Sequence, residues 1–299
     1  MYAQPIINTR KYYATVKKLR NFFEERGFIE AATQPRLSIL AACEDPSTIA
    51  TFQYSGTVWP LRQTGQMDLE YELLANPDYS GVFCLTTSYR QEANPIPGRH
   101  DLIFPMFEFE FKGDFNDLIT MEMELLEYLG FPKELHNSEF NSKHNLKIEN
   151  DKYFEIDYLD LSKLLEKKDI DAEAEEKIGN EIADILFLKN FPEYTSPFWN
   201  MKRNPNGITA NKVDTIMFGM ETIGSAEREI NPQIMQDRFH SISDGKYAEI
   251  LYAHFSRARV LYELGTFLDL PQVPRVGGGI GLTRMIRALD KLAELHNNK

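Results

Sequence analysis

Two arginines far apart in the sequence, Arg90 and Arg284, stand in settings suited to gripping a phosphate. Arg90 lies in Tyr89-Arg90-Gln91-Glu92, at the end of the β-rich run VFCLTTSYRQE. An arginine at the end of a buried strand can neutralise a phosphate through two parallel hydrogen bonds, which a lysine does not reproduce. The loop that follows carries Pro95, Pro97 and Gly98, then Arg99 and His100, whose charge can reach outer phosphates. Phe104 beyond it offers a flat face on which a base can stack. Glu108 and Glu110 follow on the returning run IFPMFEFEFKG. Singly these residues have ordinary alternatives, a structural ion pair for Arg90 and plain core for Phe104. Their grouping at this spacing is more specific than any one of them.

Arg284 closes a second set, Gly277-Gly278-Gly279-Ile280-Gly281-Leu282-Thr283-Arg284, read as a glycine-rich turn opening a helix. The glycines permit close approach of backbone to a ligand, and an arginine one turn into the helix can present its guanidinium to a nucleotide. No Lys-Ser/Thr follows, and the spacing is not that of a dinucleotide fold, so neither phosphate loop applies. A third set runs from Asp214 through Glu221 to Arg228. Glu221, with Asp214 as second candidate, is suited to Mg²⁺ held against ATP phosphates. Extended geometry over the seven residues from Asp214 to Glu221 would put the two side chains on opposite faces unless a bulge intervenes. Arg228 can clamp a substrate carboxylate bidentately, or else pair with Glu227 or Glu229.

The elements that must position these groups are legible from periodicity. Residues 8–27 place Tyr12, Val16, Leu19, Phe22 and Phe23 at helical spacing, with Gly27 as a stop. A short strand ends near Pro35, a hairpin turns around Ser55 and Gly56, and MDLEYELLAN is a helix. The Arg90 and Phe104 runs form a strand, loop and returning strand, followed by a helix over 115–129. Residues 158–187 read as helical, with DAEAEEK as a solvated acidic run. VDTIMFGMETIGSAERE is strand-like, and 231–269 helical. Strands on both sides of a helical middle indicate one α+β domain over 1–299 with a mainly helical insertion at about 133–190.

The formal charge of −12 runs against a surface built to grip nucleic acid. Cys43 and Cys84 are the only cysteines and lie far apart, which suggests neither a zinc site nor a disulfide framework and points to the reducing cytosol. No stretch approaches the roughly 20 apolar residues of a membrane span, and the N-terminus is too polar for a signal peptide.

Taken in order, these motifs make the chain resemble the catalytic domain of class II aminoacyl-tRNA synthetases. The likeness is to the aspartyl/asparaginyl subgroup and its stand-alone, ammonia-dependent asparagine synthetase relatives. RNFFEERGFIEAATQPRLS resembles motif 1, YRQE with GRHDLIFPMFEFE motif 2, and GGGIGLTRMIRAL motif 3. The resemblance implies an antiparallel β-sheet flanked by helices, a homodimer through motif 1, and ATP and Mg²⁺ as cofactors. It implies that Arg90 holds the α-phosphate, Glu92 meets the adenine amino group, and Arg99 or His100 approaches the γ-phosphate. Phe104 and Arg284 would sandwich the adenine, with Gly281 beside the nucleotide, while Glu221 and Asp214 take the metal. LRQTGQMDLE resembles the amino-acid-binding stretch, so Gln63, Thr64 and Gln66 join Glu108, Glu110, Ser225, Gly279 and Arg228 as implied amino-acid contacts.

Leu69 departs from the pattern, standing where the aspartate enzymes carry a lysine that faces the substrate's side-chain carboxylate. The motif 1-like helix begins within about ten residues of the N-terminus, so no anticodon-binding domain is expected, nor binding of tRNA. The implied chemistry is AMP-forming activation of an amino-acid carboxylate, with aspartate, ATP and ammonia yielding asparagine. Transfer of the activated amino acid to a protein, carrier or small metabolite is the alternative, and a non-catalytic regulatory paralogue the third reading.

Overall fold

The computed structural model describes residues 7–33, 37–39, 46–96, 98–99, 101–133 and 153–297. In chain order its elements are α1 (Thr9–Glu24), β1 (Ile29–Glu30), β2 (Thr51–Tyr54), β3 (Thr57–Pro60), α2 (Gln66–Ala75), β4 (Gly81–Tyr89), β5 (Ile103–Lys112) and α3 (Phe115–Leu129). There follow β6 (Phe154–Asp157), α4 (Tyr158–Leu165), α5 (Ala172–Lys177), β7 (Ile185–Pro192), β8 (Thr209–Met217) and β9 (Glu221–Glu227). The chain closes with α6 (Pro232–Ser241), α7 (Lys246–Phe255), α8 (Arg257–Leu268), β10 (Arg275–Gly281) and α9 (Leu282–Asn297). No helix among the described residues is long and apolar enough to cross a membrane.

Local chemistry sets several boundaries. Asn8 caps α1 by accepting from the amides of Arg10 and Lys11, and the helix turns Val16, Leu19, Phe22 and Phe23 inward. Asp114 and Asp117 form a capping box at the start of α3, and Gly130 ends it in the left-handed region at φ 98°. The β2–β3 hairpin turns through Ser55 and Gly56, both at positive φ, as the sequence implies.

The main sheet runs β1-β4-β5-β10-β9-β8-β7-β6, antiparallel except for the outer pairs β1–β4 and β6–β7. Side chains alternate cleanly across it. Phe107, Phe109, Val213, Ile223, Val276 and Ile280 pack with α1, α3 and α9 in one core. Glu108, Glu110, Asp214, Arg228 and the glycines 277, 279 and 281 therefore occupy the other face. That second face is partly roofed by α2 and the helices from 232 to 268, in a cluster around Trp199, Phe239 and Phe267.

Three expectations change here. The glycine-rich stretch is a central strand rather than a turn. A Cβ at Gly277 would overlap the Glu110 carboxylate, and one at Gly278 would stand 2.4 Å from Ser225 Cβ. Close approach of neighbouring strands, not positive φ, demands these glycines. Residues 158–187 are not one helical run: α4, α5 and a π turn lead into β7, which with β6 extends the main sheet. Of the segment 133–190, residues 134–152 lie outside the described residues and the remainder is a mixture of helix and sheet. The strand expected to end near Pro35 is the short β1, and Pro35 and Cys43 lie outside the described residues.

One buried group on the helix side has a measurable consequence. Glu122 on α3 is fully buried, accepts hydrogen bonds from the hydroxyls of Ser225 and Thr215, and is pushed by burial from 4.5 to about 7. Between these values the unfolded chain has lost this proton while the folded chain keeps it, so stability falls as pH rises from about 4.5 to about 7 and is flat above. Glu122→Gln keeps the shape and removes the charge. We expect it to raise Tm at pH 8 by several degrees, on the order of 2 kcal/mol, and to have little effect at pH 4.5. An equal shift at both pH values in thermal melts would contradict this account.

Candidate active site

The glycine strand forms the floor of a cavity of about 400 Å³ that opens on the face of the sheet opposite α1, α3 and α9. Arg90 and Phe104 come to it from the two ends of the β4–β5 loop, Glu221 from β9, and Arg284 from the start of α9. The Arg90 guanidinium stands 5.3 Å from the Phe104 ring centroid. Its Nε is buried and has no hydrogen-bond partner among the described residues. Such a group is expensive to hold in a protein interior unless an anion completes it. Arg284 is held from behind, its Nη1 donating to the Glu221 carbonyl at 2.7 Å and its Nη2 to the Arg99 carbonyl at 3.4 Å.

Asp214 and Glu221 are not on one extended strand. The chain reverses at Phe218 and Gly219, both at positive φ, and the β8–β9 register shifts between Thr215 and Ile216. The hairpin and its irregularity bring both acids to the site face, correcting the opposite-face expectation. A methyl at Gly224 would stand 2.8 Å from Glu221 Oε1 and 3.5 Å from Asp214 Oδ1. Burial pushes the Asp214 carboxyl up, with Lys212 pulling against it through a 2.7 Å ion pair to Oδ2. Asp214 Oδ1 is buried with no hydrogen-bond partner among the described residues. No group of three or more His, Cys, Asp or Glu suited to a metal occurs among the described residues. Mg²⁺ characteristically takes one or two carboxylates and completes its shell with phosphates and water, so the Asp214–Glu221 pair fits a Mg²⁺ that arrives with a triphosphate.

A carboxylate network braces the opposite end of the floor. Glu110 receives Arg228 bidentately, Nε at 3.2 Å and Nη2 at 3.1 Å, together with the Gln66 side-chain amide. Glu70 receives Arg275 at 3.0 and 2.6 Å and the Asn200 amide at 2.7 Å. Burial pushes Glu110 up, and Arg228 opposes it. Glu108 accepts from the hydroxyls of Thr64 and Thr86 and from the Gly65 amide, fixing the turn into α2.

A family model described as tRNA synthetases class II (D, K and N) matches residues 4–297. The chain belongs to this family. An aspartate–tRNA(Asp/Asn) ligase of Methanopyrus kandleri is 26% identical over 298 residues, 96% of this chain and 64% of the relative. The aspartate–tRNA(Asp) ligase of Thermoplasma volcanium is 25% identical over 234 residues, 74% of this chain and 53% of the relative. The chain thus spans roughly half to two thirds of the length of these curated relatives. The asparaginyl-tRNA synthetase of Pyrococcus horikoshii, solved with asparaginyl-adenylate, superposes with a TM-score of 0.73 at 20% identity, covering 95% of this chain and 65% of that one. The expected class II synthetase fold is the one observed.

Within this class II fold the sequence-derived candidates divide. Arg90, Glu92, Arg99, Phe104, Glu221, Gly281 and Arg284 border the cavity. So do Thr64, Gln66, Glu108, Gly279 and Arg228, whereas Gln63, Glu110 and Asp214 are buried behind its lining. Ser225 reaches the site only at its strand, because its hydroxyl donates to Glu122 on the other face. His100 lies outside the described residues. Arg228 pairs with Glu110 rather than with Glu227 or Glu229. Arg99 donates to Glu175 and to the Gly219 carbonyl, so a protein carboxylate meets the guanidinium expected at the γ-phosphate. Leu69 does not face the cavity; it is fully buried with Leu73, Val82 and Cys84. The sequence reading missed Lys212, Glu175, Glu70 and Arg275. Lys212 stands two residues before Asp214, so strand periodicity would have placed it on the same face. Glu70 follows Gln66 by four residues, one helical turn, and shares its network.

Proposed function

We propose that this chain activates an amino-acid carboxylate with ATP, forming an acyl-adenylate and pyrophosphate. The observation that carries the reading is the Arg90 guanidinium, whose buried Nε has no partner among the described residues, facing a cavity that Arg284 enters from the other end of the sequence. A carboxylate oxygen attacks the α-phosphorus in line, the bond from that phosphorus to the α,β-bridging oxygen breaks, and pyrophosphate leaves with the electron pair. No side-chain nucleophile is needed. The protein holds the reactants in line and places Arg90 and Arg284 where negative charge accumulates. Mg²⁺, held by Asp214 and Glu221 with the phosphates, would supply further positive charge against the triphosphate.

For the second step we favour ammonia as the acceptor. It attacks the acyl carbon of the adenylate formed on the aspartate side-chain carboxylate, AMP leaves, and the surplus proton passes to solvent, giving asparagine. The charge of −12 supports a small acceptor over a nucleic acid. One observation favours the other acceptors, a protein lysine, carrier or metabolite. Arg228 and Arg275 are balanced by Glu70 and Glu110, and Leu69 adds no charge, so the site is not strongly biased towards an acidic side chain.

ATP–pyrophosphate exchange over the twenty amino acids, with amide formation measured from aspartate, ATP and ammonium, separates the two. We expect aspartate-dependent exchange and asparagine as product. Exchange driven by another amino acid, with no asparagine formed, would rule out the ammonia ligase.

A further inference from the structure

The acidic run 171–176 reads in the sequence as a solvated helix face, but one of its carboxylates is not solvated. Glu175 on α5 reaches Arg99, which lines the cavity, and is largely buried together with it. It accepts from the Arg99 guanidinium, and its Oε2 also accepts from the backbone amide of Glu221 at 2.8 Å. The same arginine donates through Nη1 to the Gly219 carbonyl at 3.3 Å, and its own carbonyl receives Arg284 Nη2. Arg284 in turn donates to the carbonyl of Glu221. Glu175 thus closes a circuit through the β4–β5 loop, the first residue of β9 and the first turn of α9.

The backbone under this circuit is built for close contact. A Cβ at Gly179 would stand 2.3 Å from the Gly219 nitrogen, and one at Gly219 would stand 3.1 Å from Glu176 Cα. Only glycine lets the α5 segment sit directly on the β8–β9 turn and deliver Glu175 to Arg99 and Glu221 together. Among the described residues the β4–β5 loop has no strand partner at Arg99, and fixing an arginine side chain carries a rotamer-entropy cost. A second anchor that orders Arg99 before ligand arrives removes that cost from binding.

We infer that Glu175 is a positioning residue for the triphosphate end of the site, holding the Arg99 loop and the Glu221 strand end in the arrangement that receives ATP. The inference rests on the ATP-activation reading above. Glu175 touches no reacting atom; it acts through Arg99 and Glu221. Its loss therefore raises KM for ATP while leaving KM for the amino acid near its original value, because Gln66 and Arg228 are braced by Glu110 instead.

The test is calorimetric titration of Mg-ATP into the wild type, Glu175→Gln, Glu175→Asp, Arg99→Gln and the Glu175→Gln/Arg99→Gln double variant, with KM for each substrate where exchange is measurable. Thermal melts confirm that each variant is folded; the near-isosteric glutamine retains an acceptor for the Glu221 amide. Expected is ATP binding weakened roughly 10- to 100-fold in either glutamine variant, the scale of a hydrogen bond between charged groups, with the double variant no worse than the singles and partial recovery in Glu175→Asp. Unchanged binding in folded Glu175→Gln, strictly additive losses, or tighter binding, which would make Glu175 a mere competitor for Arg99, would each overturn the assignment. A wild type that binds no ATP would sink the activation reading and this inference with it. A wild type that binds ATP alongside an indifferent Glu175→Gln would sink the inference alone.

Discussion

Replacing Arg90 or Arg284 by alanine is expected to lower amino-acid-dependent ATP–pyrophosphate exchange at least ~100-fold, the scale on which preorganised charge stabilisation is lost. Arg90 is half-buried, with its Nε buried and unmet by any described group, so part of the reorganisation that water would have to undergo is complete before the phosphate arrives. Arg284 is held by two backbone carbonyls, from Glu221 and Arg99, which aim the guanidinium, while the Glu221 carboxylate approaches its Nη1 at 3.7 Å. Both charges matter most when negative charge builds on the transferred phosphate, so the loss falls on kcat as well as on KM. Arg90→Lys should recover little, because an ammonium does not reproduce the planar pair of donors. Exchange assays at saturating ATP check this. Unchanged rates in both alanine variants would remove the basis for assigning ATP to the cavity.

Arg275→Met is expected to destabilise the fold by about 3–5 kcal/mol, the loss typical of removing one partner from a buried ion pair. Arg275 and Glu70 are both fully buried, and every nitrogen of the guanidinium donates, to Glu70, to Gln272 and to the Val273 carbonyl. Methionine fills much of the volume but leaves the Glu70 carboxylate with only the Asn200 amide and a 3.7 Å approach from Arg228. Thermal melts at neutral pH should show a fall in Tm on the order of 10 °C, with part of the loss restored by Glu70→Gln in the same chain. A Tm loss untouched by the second substitution would mean that Arg275 acts through packing alone.

Much of the scaffold was legible before any coordinates. Helices α1, α3 and α9, strands β4 and β5 and the hairpin at Ser55 and Gly56 follow from periodicity, caps and turn residues, which are local properties. The errors have a common origin in contacts between segments distant in sequence. The glycines from 277 to 281 looked like a turn because nothing local reveals that Glu110 and Ser225 on flanking strands press against them. Asp214 and Glu221 looked opposed because the reversal at Phe218 and Gly219 lies inside an otherwise β-rich run. Glu175 looked solvated because its partner, Arg99, lies 76 residues away.

The residue types and their order were enough to name the family and to single out two arginines and two acids that the fold brings to one face of the sheet, since motif spacing survives in the linear chain. Charge compensation was not. Whether Arg228, Arg99 and Leu69 present themselves to a substrate depends on Glu110, Glu175 and the cluster around Val82 and Cys84, brought in by sheet pairing and helix packing. Burial makes each such pairing decisive, because in a low-dielectric interior a nearby carboxylate determines how much charge an arginine has left to offer.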